Sequence, residues 1–411
     1  MLGFVRVAIT AYLLGTHSRA DSLAVAMGPL DSLNGLLTNS VLFAFVPMLA
    51  ACAAGERMAL FRKLSGCFAW AFAALAAVII AAAPLLMKAL APGLAAPYFA
   101  TAVLLFRIMA LSVVAAGVAA VHCALLYTDR RFLPTAFYQA ALNVCTITAA
   151  LSLWKFLGVY AFACGYAAGA WVQLAIVYFA SRSDRAAAPA AECKVHWREI
   201  LSRPWFFVVY AAALGMNMIF LRAWATHVGP GMAAALDYCL RGITVPMALL
   251  VTPIANSLLP EIARLRSLSR MRDALRLIDR TIALAALIAV AGCAIALTFR
   301  TPAIALLFQR GSFTAESTRL VAAVFLGLGP SLVGWSLLEI TARSLFALDR
   351  PWPAVIAASI PPLFNVILTV RLHSAHPAMI GLGASLGLLT GFAAIFAMAH
   401  ARRARWMVKG C

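Results

Sequence analysis

The chain has 411 residues, 64% of them hydrophobic and 11% charged, with a formal net charge of +19 and a mean hydropathy of +0.94. A soluble core cannot absorb that much apolar surface, because soluble domains carry about 25% charged residues. The apolar residues also run in long stretches without strand-like alternation, which excludes a membrane barrel.

In chain order, about twelve stretches reach or approach the ~20 residues that a helix needs to cross a bilayer. The first six cover residues 2–14, 23–51, 68–87, 99–126, 132–153 and 156–180. The second six cover 205–225, 233–259, 282–299, 320–345, 354–370 and 378–399. The first is read as a transmembrane helix and not as a signal peptide, since Arg6 interrupts it and further spans follow at once. Helices satisfy their own backbone groups in lipid, so an all-α polytopic membrane protein is expected.

The halves resemble each other. Phe45-Val46-Pro47-Met48-Leu49-Ala50 closes the second span and Leu258-Leu259-Pro260-Glu261-Ile262-Ala263 the eighth. Leu126-Tyr127-Thr128-Asp129-Arg130 matches Phe346-Ala347-Leu348-Asp349-Arg350, each followed by a proline and then by an asparagine, Asn143 or Asn365. Six spans per copy give both copies one orientation. The expected architecture is two parallel six-helix lobes around a central cavity, a transporter design. The N-lobe would take residues 1–181, a cytoplasmic linker 182–203, the C-lobe 204–401 and a basic tail 402–411.

Basic residues alternate with the loops. With the amino terminus placed in the cytoplasm, the connections on that side hold Arg57, Arg62 and Lys63, then Arg130 and Arg131, then Arg182, Arg185, Lys194, Arg198 and Arg203, then a run from Arg264 to Arg280, then Arg343 and Arg350, with Arg402, Arg403, Arg405 and Lys409 in the tail. That is the positive-inside pattern, and both termini fall in the cytoplasm of a bacterial inner membrane. It accounts for the charge without a nucleic-acid partner. Arg272, Arg276 and Arg280 recur every four residues, with Leu275, Ile278 and Ile282 on another face, as in an interfacial helix leading into the ninth span.

Charges within spans are costly, about 2.5–3.5 kcal/mol each on insertion scales, and usually face water or do something. They are Arg6, Asp31, Arg107, Arg222, Asp237, Arg241 and Glu339. Asp237 and Arg241 are spaced to neutralise each other, and Arg222 near its span end could snorkel. Asp31, Asn34, Thr38 and Asn39 form one polar stripe, expected to face a hydrated cavity. Arginines hold a phosphate bidentately and keep their charge, which suits Arg6, Arg107 and Arg241 to an anionic head group, with Asp31 and Asn34 beside sugar hydroxyls. Nine cysteines are scattered singly, no nucleotide-binding loop occurs, and no catalytic constellation forms, so no enzyme, metal or resident cofactor is expected.

At these residues a family resemblance appears. Leu2-Gly3-Phe4-Val5-Arg6, Asp21, the 45–50 string, Phe106-Arg107-Ile108-Met109 and above all Leu307-Phe308-Gln309-Arg310-Gly311-Ser312-Phe313-Thr314 resemble the MurJ (MviN) lipid II flippases of the MOP exporter superfamily. The resemblance implies movement of an undecaprenyl-pyrophosphate-linked saccharide between leaflets, with Arg6 and Arg241 at the pyrophosphate. Asp21, Asp237 and Glu339 are taken as cavity or coupling residues, and Asn365 with Thr369 resemble part of the family's sodium site, sodium or proton coupling being left open. Membrane lipids and the cell-envelope synthesis machinery would be the partners. Departures are Leu33, Asn34 and Thr38 in place of two arginines and a glutamate, Glu339 in place of a lysine, and no counterpart to the family's two further carboxy-terminal helices. Two other readings stay open: a cation-coupled small-molecule exporter of the same superfamily, using Asp31 and Glu339, and a scaffold that transports nothing.

Overall fold

A computed structural model describes residues 2–52, 54–182, 205–371 and 376–408. The expected linker therefore lies almost wholly outside the described residues, as do the Thr369 side chain and those of the basic tail. Among the described residues every regular element is helical: α1 (Leu2–Leu14), α2 (Ser18–Ala51), α3 (Ala54–Leu90), α4 (Ala96–Thr128), α5 (Leu133–Leu157) and α6 (Tyr160–Ala180). There follow α7 (Trp205–Val228), α8 (Met232–Pro246), a π-helical turn (Met247–Val251), α9 (Thr252–Ser267), α10 (Met271–Thr298), α11 (Arg300–Phe308), α12 (Ala315–Leu328), α13 (Ser331–Ala347), α14 (Trp352–Arg371) and α15 (Pro377–Val408).

Eight of the described helices, and the continuous stretch of α8, the π turn and α9 as a ninth, are long and apolar enough to cross a membrane, ten spans if α12 and α13 form one bent by 44°. The shorter apolar helices Leu2–Leu14 and Trp352–Leu368 fill the two remaining expected stretches in order. Three expectations are refined. The tenth stretch is broken, because Gly329-Pro330 interrupts it and proline cannot donate to the preceding turn. The eighth passes through the π turn that follows Pro246. The interfacial helix is no separate element: α10 runs unbroken from Met271, with Arg272, Arg276 and Arg280 exposed and Leu275, Ile278 and Ile282 buried.

The chain divides into two compact units, Met1–Thr10 with Ser18–Val208, and Ala11–His17 with Val209–Cys411. In the first, α4 is the buried axis, with nineteen buried residues from Ala102 to Leu126. Phe45, Phe61 and Leu64 pack against its Leu125 end. Gly165 and Gly169 on α6 let α5 approach so closely that a Cβ at Gly165 would stand 2.6 Å from that of Ala149. In the second unit the end of α1 is bound in. The Ser312 N–H donates to the Tyr12 carbonyl at 2.8 Å, and the Tyr238 hydroxyl donates to that of Gly15 at 2.7 Å. The Leu307–Thr314 string is thus a packing motif, with Phe308 tilted against Tyr238 and Phe313 meeting it edge-on.

The two strings matched in the sequence both end a helix in the same kind of turn. Arg130 (φ 57°) and Asp349 (φ 61°) each take the left-handed position that ends a helix. The next N–H donates five residues back, Arg131 to Leu126 and Arg350 to Leu345, both at 2.8 Å. The same turn forms at Ser269 (φ 57°), where the Arg270 N–H donates to the Leu265 carbonyl at 2.9 Å, so it marks helix ends in general. Each of the two matched turns holds an aspartate bound to an arginine: Asp129 to Arg57 at 2.8 Å, and Asp349 to Arg266 at 3.3 Å.

Candidate functional site

In the first unit α1, α2, α4 and α6 bring together one polar cluster within an apolar bundle. Arg6 of α1 is 4% exposed, and its Nη2 donates to Asp31 Oδ2 at 3.0 Å. Asp31 Oδ1 accepts from the Tyr166 hydroxyl at 2.8 Å. One turn along α2, Asn34 donates from Nδ2 to the Tyr166 oxygen at 3.2 Å and to Ser112 Oγ at 2.9 Å. The expected stripe on α2 therefore splits. Asp31 and Asn34 turn into the unit, Thr38 bonds the Tyr138 side chain, and Asn39 alone of the four is exposed. Asp21 is buried in the first turn of α2, where the helix dipole favours a carboxylate.

Arg107 has another role. It is exposed, and its Nε donates to the Ile80 carbonyl of α3 at 3.2 Å. That carbonyl would ordinarily bond the N–H four residues on, which is Pro84 and has none. Arg107 thus caps an acceptor orphaned by a proline. Arg107→Ala is expected to destabilise the chain by about 1 kcal/mol, and by little once Pro84→Ala restores the helical donor. A double-mutant cycle of melting temperatures reads the coupling.

In the second unit the intramembrane charges are paired. Arg222, 8% exposed, does not snorkel: its Nη2 donates to Asp237 Oδ1 at 2.8 Å. The partner found for Asp237 is thus Arg222 across the α7–α8 hairpin, where only Arg241 was expected. Arg241, one turn further, is half-buried and not free. Glu339 Oε1 accepts from Arg343 Nε at 2.6 Å, Oε2 accepts from Tyr210 at 3.1 Å, and Arg343 also reaches Asn256. Arg343, read above as a loop residue, lies inside α13 one turn after Glu339. Asn365 donates to the Asn217 side chain, whose own Nδ2 has no partner among the described residues. Among the described residues, the adjoining pocket, lined by Phe220, Leu221, Trp224, Leu368 and Met379 among others, has no acidic residue on its wall. The amide of Asn365, bound to that of Asn217, is the described part of the expected sodium site, whose Thr369 side chain lies outside the described residues. No ion-coupled step is derived through them.

Sequence reasoning missed Tyr166, Ser112, Tyr210 and Asn217, since only ionisable groups and the α2 stripe were sought. A hydroxyl or amide in mid-span is the signal that finds them.

The family described as lipid II flippase MurJ matches residues 10–409. The chain belongs to the MurJ family. A lipid II flippase MurJ of Burkholderia cenocepacia is 28% identical over 95% of this chain and 80% of its own length. A solved lipid II flippase MurJ in an inward closed conformation superposes with a TM-score of 0.82 at 18% identity, covering 100% of this chain and 88% of that one. A multidrug-resistance MATE transporter of the MOP superfamily, facing inward, gives 0.82 at 12% identity, covering 99% and 95%. At those identities the solved structures establish the MurJ-like fold shared with MATE transporters, two helical lobes, while the family assignment rests on the sequence match.

Proposed function

We propose that this MurJ-family chain flips a polyprenyl-pyrophosphate-linked saccharide of the lipid II class from the cytoplasmic to the outer leaflet of the bacterial inner membrane. The observation that carries this reading is the family match across residues 10–409, joined to the placing of Arg6 in a buried polar cluster. Flipping by alternating access breaks no covalent bond. It needs only different affinities for the cargo in two states, so the chain requires no catalytic machinery. Arg6 and Arg241 are the proposed contacts for the pyrophosphate, and both termini are placed in the cytoplasm by the positive-inside rule. Contact with the cell-envelope synthesis machinery would supply the lipid on one side and consume it on the other.

The exporter reading rests on the MATE superposition, which speaks to fold alone, and Glu339 is neutralised by Arg343 in place of standing as a lone acid. The flippase reading is tested by depleting the protein in its native cell and weighing polyprenyl-linked lipids by mass spectrometry. Polyprenyl-pyrophosphate saccharide should accumulate, and re-expressed Arg6→Gln should leave the accumulation in place. An unchanged lipid profile contradicts the reading.

A further inference from the structure

We infer that Asp31 is a built-in competitor for the anion that Arg6 receives, holding the arginine's place when no cargo is present. The inference rests on the reading of Arg6 as a head-group residue and adds what determines its affinity.

Four observations carry it. First, Arg6 cannot shed its proton, and its side chain is only 5% exposed, so a cargo-free chain needs an anion beside it. Second, the anion present is monodentate: Asp31 gives Oδ2 to Nη2 and turns Oδ1 to Tyr166, so the forked guanidinium is not matched by both carboxylate oxygens. A phosphate can offer that two-point match, which is the stronger arrangement. Third, Asp31 has somewhere to stay when displaced. Its second oxygen is held by Tyr166, which is held by Asn34, which is anchored on Ser112. Fourth, the carboxylate is the more exposed member, 25% against 5%, so Asp31 keeps contact with its surroundings when it gives up Arg6.

The physical consequence is a trade of partners. Without cargo, Arg6 and Asp31 cancel, and no naked charge has to be carried through a conformational change. With cargo, the phosphate takes Arg6 and leaves Asp31 as a nearby like charge that favours release. Apparent affinity is then lowered by the fraction of time Arg6 stands unpaired.

The test uses the full chain in nanodiscs of zwitterionic lipid, with farnesyl pyrophosphate as the probe and equilibrium binding as the readout. Asp31→Asn should tighten binding by about tenfold or more, the inverse of a free fraction of roughly a tenth or less. Arg6→Gln should weaken it, and the double variant should bind no tighter than Arg6→Gln. Since Asp31→Asn leaves a buried arginine unpaired and could fail to fold, Tyr166→Phe is the second probe. Freeing Oδ1 lets Asp31 grip Arg6 with both oxygens, so binding should weaken several-fold. Unchanged affinity in Asp31→Asn or Tyr166→Phe, with Arg6→Gln weakened, overturns the competition and leaves Arg6 as a head-group residue. A gain that persists in the double variant also overturns it. Unchanged affinity in Arg6→Gln overturns both readings.

Discussion

Asp237→Leu should yield almost no folded protein, and adding Arg222→Met should restore it. Arg222 is buried, its Nε and Nη1 have no hydrogen-bond partner among the described residues, and its Nη2 rests on Asp237 at 2.8 Å. Removing the carboxylate leaves an uncompensated buried cation, which costs about 3–5 kcal/mol, comparable with the whole stability of many proteins. Removing both charges for apolar groups of similar volume is often neutral or stabilising. The contrast is measured by yield and melting temperature of the detergent-purified chain on size exclusion. Equal losses in the single and double variants would mean that the pair is not what holds α7 to α8.

A second large effect lies where α12 meets α15. A Cβ at Gly327 would stand 1.8 Å from the Ala378 carbonyl oxygen, and one at Gly381 2.3 Å from the Leu328 nitrogen. These neighbours are backbone and cannot swing aside, so the two helices would have to part. The Ser385 hydroxyl, which donates to the Gly327 carbonyl at 2.7 Å, would lose its acceptor in the process. In an exposed helix Gly→Ala gains about 1 kcal/mol from propensity. Here Gly327→Ala should instead lose roughly 3 kcal/mol through overpacking and the broken hydrogen bond. Gly292 on α10 is the control, because nothing lies within 4 Å of its added Cβ, and Gly292→Ala should be neutral or slightly stabilising. Melting temperatures of the two variants separate these cases, and a Gly327→Ala protein as stable as the parent would refute the close contact.

The helices were legible in the sequence because lipid leaves the backbone no alternative to satisfying itself, and long apolar runs record that demand. Hydropathy could not see the bend at Gly329-Pro330, since the run stays apolar through it. Charge pairings were the least legible. Counting basic residues by loop placed Arg343 outside the membrane, although Glu339 one turn before it is the better guide to its place. Arg222 and Asp237 lie nearly equidistant from the Gly229–Gly231 turn, so an antiparallel hairpin sets them at one depth, a signal that stands beside the i, i+4 spacing to Arg241. Arg6 and Asp31 stand on separate helices 25 residues apart, and no periodicity links them. Nor could spacing reveal that Arg107 answers Pro84, because the orphaned carbonyl appears only once both helices are placed.

Translocation in proteoliposomes tests the central claim most directly: the purified chain, reconstituted in the inner leaflet's lipid mixture, with a fluorescent polyprenyl-pyrophosphate disaccharide and a membrane-impermeant quencher. The account predicts that quenching exceeds one leaflet's share with the parent chain and falls to the protein-free rate with Arg6→Gln, while Gly292→Ala keeps the parent rate. A parent chain that moves the label no faster than protein-free liposomes would contradict it.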